Sequence, residues 1–536
     1  MPRVLAAVIV LAAVAAALVI VLSSSSSGAA QPRAIESIFQ DDDHLIYAST
    51  ATVTNTLDEL KGLGVDRIRA TVLWRAIAPD PTGTAPPPRF DPSNPAAYPA
   101  SSWAPYDRLV ELAGARGIAL DFNVGAPGPL WAMGRGSPSP RYADHWMPSA
   151  AQFGAFVTAV GRRYSGTYAP PGGPALPRVS YWSVWNEPNQ PGWLAPQWAT
   201  VQGQHVIESA VLYRAYVDAA FAALERTGHG PGSDTILVGE LAPEGSEAPS
   251  DVYSEAIPPM PFLRALYCVD PSYRPLTGAA AAVLGCPPSG GGSSFVSAHP
   301  GLFDATGFAH HPYSFFLAPS AQMSDVNFVP LIDLGRLEHG LDSIFATYGV
   351  GRRLPLYLTE YGYETNPPNP FRGVSLATQA LYLNEAEYMA WQNPRVRAMS
   401  QFLLYDALPD ARYPRGSVRY WETFQTGLRY ANGAAKPSLD AYRLPIFVAD
   451  PVLGSGGAVN VWGRLRPAAD GGAPRAQLQW AAPGGSYRTL ATVTASQPSD
   501  VLSTRLTVPG PGTIRLAWTA SSGQTYYSRP VGLQAH

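Results

Sequence analysis

An α/β fold is the fold class this sequence predicts: a (β/α)8 TIM barrel followed by a small C-terminal antiparallel β-sandwich. Three observations predict it. Short apolar runs alternate with longer amphipathic ones from residue 36 to about residue 447. From about Ala449 the pattern becomes period-two alternation broken by Gly and Pro turns. The length, 536 residues with 46% hydrophobic content, suits one large domain plus a small one.

The elements follow in chain order. Arg3 precedes an uncharged apolar run, "VLAAVIVLAAVAAALVIVL", and then "SSSSSGAAQPRA". This reads either as a signal peptide with a small-residue cleavage site near Gly28-Ala29-Ala30 or as an uncleaved membrane anchor. Both readings make the body of the protein exported, secreted or held at the cell surface. The expected division is 1–30 for this leader, 31–448 for the barrel and 449–536 for the sandwich.

Eight strands are expected at Ser37 to Gln40, Arg67 to Val72, Ala119 to Val124, Val179 to Trp185, Thr235 to Leu241, Thr306 to Ala309, Leu356 to Thr359 and Ala398 to Leu404. Helices fill the intervals. The clearest, Val206 to Arg226, places Val206, Ala210, Tyr213, Val217, Ala220, Phe221 and Leu224 at spacings of three and four. Another, near Thr52 to Leu63, stops at Gly64. No Gly-rich phosphate turn follows any strand, which argues against a doubly wound nucleotide-binding sheet. Pro- and Gly-rich insertions at 78–105, 168–177, 241–259 and 279–294 account for the excess over a minimal barrel. In the tail, "AVNVWGRLR" and "TIRLAW" alternate apolar and polar residues. Such a domain either binds carbohydrate or braces the barrel. Bracing is preferred, because no aromatic platform stands out.

Composition excludes some functions. Formal net charge is −3, so there is no electrostatic footprint for nucleic acid. Membrane contact is expected only through the possible N-terminal anchor. Charged residues make up 14%, against 54 Pro and 50 Gly, as in a loop-rich globular protein. The two cysteines, Cys268 and Cys286, are expected to form a disulfide in an exported protein; two free buried thiols are the alternative. Closing that loop would stabilise the fold by roughly 3 kcal/mol in the chain-entropy model. The pair His310-His311 has no third ligand at a readable spacing, so neither a catalytic metal nor a cofactor is expected.

Two expected strands end on a carboxylate. "RVSYWSVWNEPNQPGW" closes the fourth on Trp185-Asn186-Glu187-Pro188, and "LPLYLTEYGYE" closes the seventh on Glu360. A carboxylate at the end of a buried strand is costly unless something uses it. In a parallel barrel the strand C-termini share one mouth, so Glu187 and Glu360 face the same space. One carboxylic acid and one carboxylate on either side of a bond is what glycoside hydrolysis requires. Glu240, at the end of "ILVGE", is a rival at the fifth strand; a substrate contact, a supporting contact or a solvated loop residue is the expected role. "QDDDH", from Gln40 to His44, either binds a cation or sugar hydroxyls or is a solvated acidic loop; the solvated loop is preferred.

"WNEPN" on strand four with "TEYG" on strand seven resembles the clan A glycoside hydrolases, retaining (β/α)8 enzymes, over roughly residues 36 to 447. Family 39 is the most similar, with family 5 and family 51 carrying close variants. The resemblance implies Glu187 as general acid/base and Glu360 as nucleophile, with Asn186 holding the sugar 2-hydroxyl. It implies Arg69, in "RIRATVLW", beside the nucleophile. It also implies His311 lining the sugar site and Tyr313, in "AHHPYS", donating to the nucleophile. The same reading makes the substrate a poly- or oligosaccharide. Trp131, Trp193 and Trp421 are the aromatic candidates for sugar platforms, with packing as the alternative, and Trp74 and Tyr405 are further candidates for substrate contact. The sequence departs from the clan pattern at strand three, where Asn123 stands nearest to a usual histidine. It departs again at strand eight, which ends on Tyr405-Asp406 where many members have tryptophan. A transglycosylase with the same glutamates, or a non-catalytic carbohydrate-binding surface protein, are the alternatives.

Overall fold

The computed structural model describes residues 35–536 apart from 202, 247–254, 454–456, 467–473, 497–498 and 536. The expected leader lies outside the described residues. Among the described residues, no helix is long and apolar enough to cross a membrane.

Eight β-branched and aromatic runs form strands β1 (Glu36–Gln40), β2 (Arg67–Leu73), β3 (Ala119–Gly125), β4 (Tyr181–Val184), β5 (Thr235–Leu241), β6 (Gly307–His310), β7 (Leu356–Leu358) and β8 (Val396–Phe402). Every neighbouring pair is parallel, and β1 pairs with both β2 and β8, so the sheet closes into a barrel. Each strand is followed by a helix: α1 (Thr50–Gly62), α2 (Ala100–Gly114), α3 (Ala150–Arg163), α4 (Glu208–Arg226), α5 (Pro259–Leu266), α6 (Leu334–Thr347), α7 (Leu376–Gln392) and α8 (Pro437–Arg443). Ser49, Ser149 and Ser375 cap α1, α3 and α7 by accepting a backbone N–H.

Two local outcomes differ from expectation. Helix α4 starts at Glu208, because Gln204–Ile207 pairs with Trp198–Val201 in a hairpin turning near Gly203, whose φ is +78°. Helix α1 starts two residues early, at Thr50, because the Ser49 hydroxyl caps it there.

Side chains inside the barrel are layered. Ile38, Leu237, Ala309, Tyr357 and Ala398 fill one level with apolar groups. Alternation along the strands then sends Gln40, Arg69, Asp121, Ser183 and Thr359 to a buried polar level nearer the strand C-termini, where a bulge in β5 adds Glu240. Such a level is stable only if its groups satisfy one another.

The C-terminal sheet region shares an apolar cluster with residues before 449. Leu444, Ile446 and Val448 already belong to its apolar cluster, together with Val459, Leu478, Ile514 and Trp518. Strand Ala458–Arg464 lies between Ile446–Phe447 and Val501–Thr507, antiparallel to both. A second sheet runs in the order Val452–Leu453, Val531–Ala535, Gly512–Thr519, Arg475–Ala481, Arg488–Thr494. Two arginines tie this region to the barrel. Arg466 donates to the Ser37 hydroxyl on β1 at 2.6 Å and to the Glu387 carboxylate on α7, and Arg464 reaches the same carboxylate at 3.2 Å. Cys268 and Cys286 form the expected disulfide, and the buried Arg214 guanidinium donates to carbonyls on both sides of it, Leu266 at 2.9 Å and Leu284 at 3.2 Å.

Candidate active site

The backbone leaves β4 in a sharp turn, with Trp185 at φ +67° and Glu187 at φ +36°. Left-handed backbone is disfavoured for side chains of this size, so the surroundings must hold it. The Trp185 indole is fully buried, edge-on to Phe153 and stacked on Tyr216, and its Nε1 donates to the Trp193 carbonyl at 3.1 Å. Asn123 donates its amide to the Trp185 carbonyl. The strand-three position that departs from the clan pattern therefore braces the turn that carries Glu187. Asn189 fastens the same loop to the end of β5, accepting from the Ala242 N–H at 2.9 Å and donating to the Ala242 carbonyl at 3.1 Å.

Glu360 leaves β7 directly after Thr359. Its Oε1 accepts from the Arg69 guanidinium at 2.7 Å, and its Oε2 accepts from the Tyr313 hydroxyl at 3.1 Å. Glu187 Oε1 lies 2.9 Å from His311 Nδ1. One oxygen of Glu187, one of Glu360 and a His311 nitrogen all fall within 4.8 Å of one another. Both carboxylates remain reachable, with 18% and 10% of their side chains exposed, whereas Arg69 and His311 have none.

Glu240 unites the two cations. A register irregularity between Gly239 and Leu241 breaks the alternation of β5, with Gly239 at φ +105° and Glu240 at +50°. A side chain at Gly239 would meet the Ala309 carbonyl at 2.6 Å, so the bulge needs glycine there. The Tyr213 hydroxyl of α4 supports it, accepting from the Gly239 N–H at 2.8 Å and donating to the Val184 carbonyl at 3.0 Å. The bulge turns Glu240 into the polar level, where its Oε2 accepts from Arg69 at 2.9 Å, Thr359 at 2.9 Å and His311 Nε2 at 2.8 Å. Of the expected roles, the supporting contact is the one observed: Glu240 is fully buried and is neither solvated nor open to substrate.

The electrostatics follow from this arrangement. Burial alone would lower the His311 pKa. The Glu360 charge and the hydrogen bonds to Glu187 and Glu240 outweigh it, raising His311 to about 10. Burial would raise Glu240, but the Arg69 charge and the His311 hydrogen bond bring it down to about 2. Glu187 moves up from the usual glutamate value, because burial outweighs its hydrogen bond to His311. Two buried cations thus face three glutamates, and Glu187 keeps a proton more readily than an ordinary glutamate while Glu240 keeps one less readily. Both His311 ring nitrogens are engaged by carboxylates, Nδ1 by Glu187 at 2.9 Å and Nε2 by Glu240 at 2.8 Å.

These groups open into a cleft of about 880 Å³ at the C-terminal ends of the strands, lined by Asn186, Glu187, Trp193, Tyr313, Glu360 and surrounding loops. Arg69 donates to Asn186 Oδ1 at 2.6 Å, which leaves the Asn186 amide nitrogen as the donor available to the cleft.

Several expected substrate contacts lie elsewhere. Trp74 is fully buried, stacked on Phe156 at 5.7 Å and tilted against Phe153, because it follows β2 on the side that faces the helices. Trp131 sits edge-on to Trp74 and Phe90 and donates to the Pro79 carbonyl. Trp421 is buried and donates to the Arg415 carbonyl. Tyr405 stacks on His44 at 4.2 Å. None of these four lines the cleft; Trp193 does. Arg69 and His311 act beneath the carboxylates and have no surface for a sugar. His310, as alternation predicts, points away from His311 and meets the Val329 carbonyl at 2.7 Å.

The acidic loop after β1 is not solvated throughout. Asp41 is buried, accepts from the Leu404 and Tyr405 N–H groups at 3.1 Å and pairs with His44; Asp42 and Asp43 line the cleft. Gln40, expected to belong to the solvated loop, is buried and accepts from Arg69 at 2.5 Å. Its position two residues beyond the inward-facing Ile38 is the signal that places it inside.

No family model matches the chain, and no curated protein does. Solved structures do resemble it. A β-glucuronidase from Parabacteroides merdae is 9% identical, with 94% of this chain and 48% of that one covered and a TM-score of 0.40. A GH5_18 protein from Bifidobacterium longum subsp. longum is 14% identical over 76% of this chain and 78% of that one, TM-score 0.41. AbfB, a family 51 α-L-arabinofuranosidase from Bifidobacterium longum, is 12% identical over 94% and 96%, TM-score 0.40. The chain spans about half the length of the solved β-glucuronidases it matches.

Proposed function

We propose that the chain is an exported glycoside hydrolase that cleaves an O-glycosidic bond with retention of configuration. The observation that carries this reading is the pair Glu187 and Glu360, with oxygens within 4.8 Å at one barrel mouth and in unequal surroundings. Retaining enzymes hold their carboxyl groups about 5–5.5 Å apart, and inverting ones hold them about 6.5–9.5 Å apart to admit a water.

The chemistry then divides between the two. Glu360, ion-paired to Arg69, attacks the anomeric carbon. Glu187 gives its proton to the departing oxygen, and the C–O bond breaks as the Glu360–carbon bond forms. Glu187, now ionised, takes a proton from water. That water displaces Glu360 from the same face the leaving group left, so configuration is kept. Asn186 donates to the sugar beside the reacting carbon. The C-terminal sheets, tied to β1 and α7 by Arg464 and Arg466, are read as a bracing sandwich. The leader, as signal or anchor, is read as the export device.

The test is a hydrolysis screen of the chain from about residue 31 on aryl glycosides and polysaccharides, beside Glu187→Gln and Glu360→Gln. Cleavage by the wild type with both variants reduced by at least about 100-fold supports the reading. Cleavage that survives either substitution contradicts it.

A further inference from the structure

The cleft is wide for one sugar. Its volume of about 880 Å³ lies near the upper end of the roughly 300–1,000 Å³ typical of sites for drug-sized ligands. Its rim carries exposed apolar rings. The four most exposed phenylalanines among the described residues are Phe315, Phe316, Phe371 and Phe424, at 40, 66, 47 and 53%. All four line this cleft. They come from three different loops, after β6, β7 and β8, so their meeting is not an accident of one local sequence. Phe315 sits at φ +57°, a left-handed backbone that a bulky residue rarely adopts. Strain of this kind persists where the surroundings enforce it, and it concentrates at ligand sites. Phenylalanine has no polar tip, so these rings offer apolar faces without hydrogen bonds for sugar hydroxyls. Exposed apolar groups gathered in one patch mark a surface that is covered when the protein works.

The charge of the cleft narrows the occupant. Asp42, Asp43, Glu244 and Glu364 line it beside the catalytic pair, and the one cation lining it among the described residues, Arg372, faces Glu244 and Glu364. A field of that sign disfavours anionic ligands.

We infer that the substrate is an uncharged glycoside whose aglycone is apolar, an alkyl, terpenoid or aryl group lying across the phenylalanine rim while the sugar reaches Glu187 and Glu360. The inference rests on the glycosidase reading and names the substrate class for it.

The experiment compares methyl and n-octyl β-D-glucosides, galactosides, mannosides and xylosides. Binding to the full chain carrying Glu187→Gln is measured by calorimetry below the micelle concentration, and hydrolysis by wild type is followed in parallel. The octyl member of each pair should bind at least about tenfold tighter than the methyl member. The preference should fall to less than about threefold in the Phe316→Ser/Phe424→Ser double variant, whose rings are exposed and carry little of the core. Octyl β-D-glucuronide should bind more weakly than octyl β-D-glucoside. Equal affinity for octyl and methyl, or an octyl preference that survives the double substitution, overturns the inference, as does tighter binding of the glucuronide. Cleavage of soluble oligosaccharides without any octyl preference would overturn the rim and leave the glycosidase reading standing. An octyl preference that depends on the rim, with no glycoside cleaved, would sustain the rim and sink the glycosidase reading.

Discussion

Replacing Glu240 by glutamine removes the charge that joins Arg69 to His311 while keeping the shape of the side chain. The magnitude follows from the site. The Glu240 carboxyl is fully buried, which by itself would raise its pKa, yet Arg69 and His311 bring it from 4.5 to about 2. At about 1.4 kcal/mol per tenfold, its ionised form is favoured in the folded protein by roughly 3 kcal/mol relative to the unfolded chain. That agrees in size with the roughly 3–5 kcal/mol lost when one partner of a buried ion pair is removed. Because the folded pKa is depressed, this stability is fully present above about pH 4.5 and is lost as pH falls toward 2. Urea unfolding of wild type and Glu240→Gln should therefore differ by about 3 kcal/mol at pH 7, with the gap narrowing between pH 4.5 and 3. A difference under about 1 kcal/mol, or one of constant size down to pH 3, would refute the reasoning.

Three further outcomes are expected. Activity should fall on the alkaline side as Glu187 ionises. His311→Gln, which removes the hydrogen-bonded cation that lowers the Glu187 pKa, should move that alkaline limb of kcat/KM to higher pH; a downward move counts against the assignment. Tyr313→Phe removes a donor 3.1 Å from Glu360 and should lower kcat by about tenfold while leaving the thermal midpoint within a few degrees. Arg466→Met leaves the buried Glu387 carboxylate at the junction of barrel and C-terminal sheets with Arg464 as its remaining cation, and should cost about 2 kcal/mol in urea unfolding.

Much of the barrel was legible in the sequence, because each strand is a short apolar run between amphipathic helices. Glu187 and Glu360 were legible for the same reason: a carboxylate closing a buried strand stands out against its neighbours. Glu240 was harder to place, because its role depends on a bulge. Strict alternation puts it on the opposite side from Leu237, and only the break at Gly239 returns it to the interior. A glycine inside a strand run, followed by an acid, was the available signal. Trp74 shows the opposite failure. Nearness in sequence to Arg69 suggested the mouth, yet the chain turns at Leu73 and packs the indole among Phe153 and Phe156. The phenylalanine rim could not be read at all, since its rings come from loops that only the closed barrel brings together. The hairpin before α4 was hidden because Val206 suits either a strand or the first turn of an amphipathic helix.

The central claim is a retaining reaction carried by Glu187 and Glu360. The most direct measurement is proton NMR of the anomeric signal during the first minutes of hydrolysis of whichever glycoside the screen identifies, before mutarotation. The account predicts that the sugar first released has the anomeric configuration of the substrate, and that Glu360→Gln abolishes its release. First appearance of the opposite anomer would contradict it, because the two carboxylates would then be acting across a water instead of through a bond to Glu360.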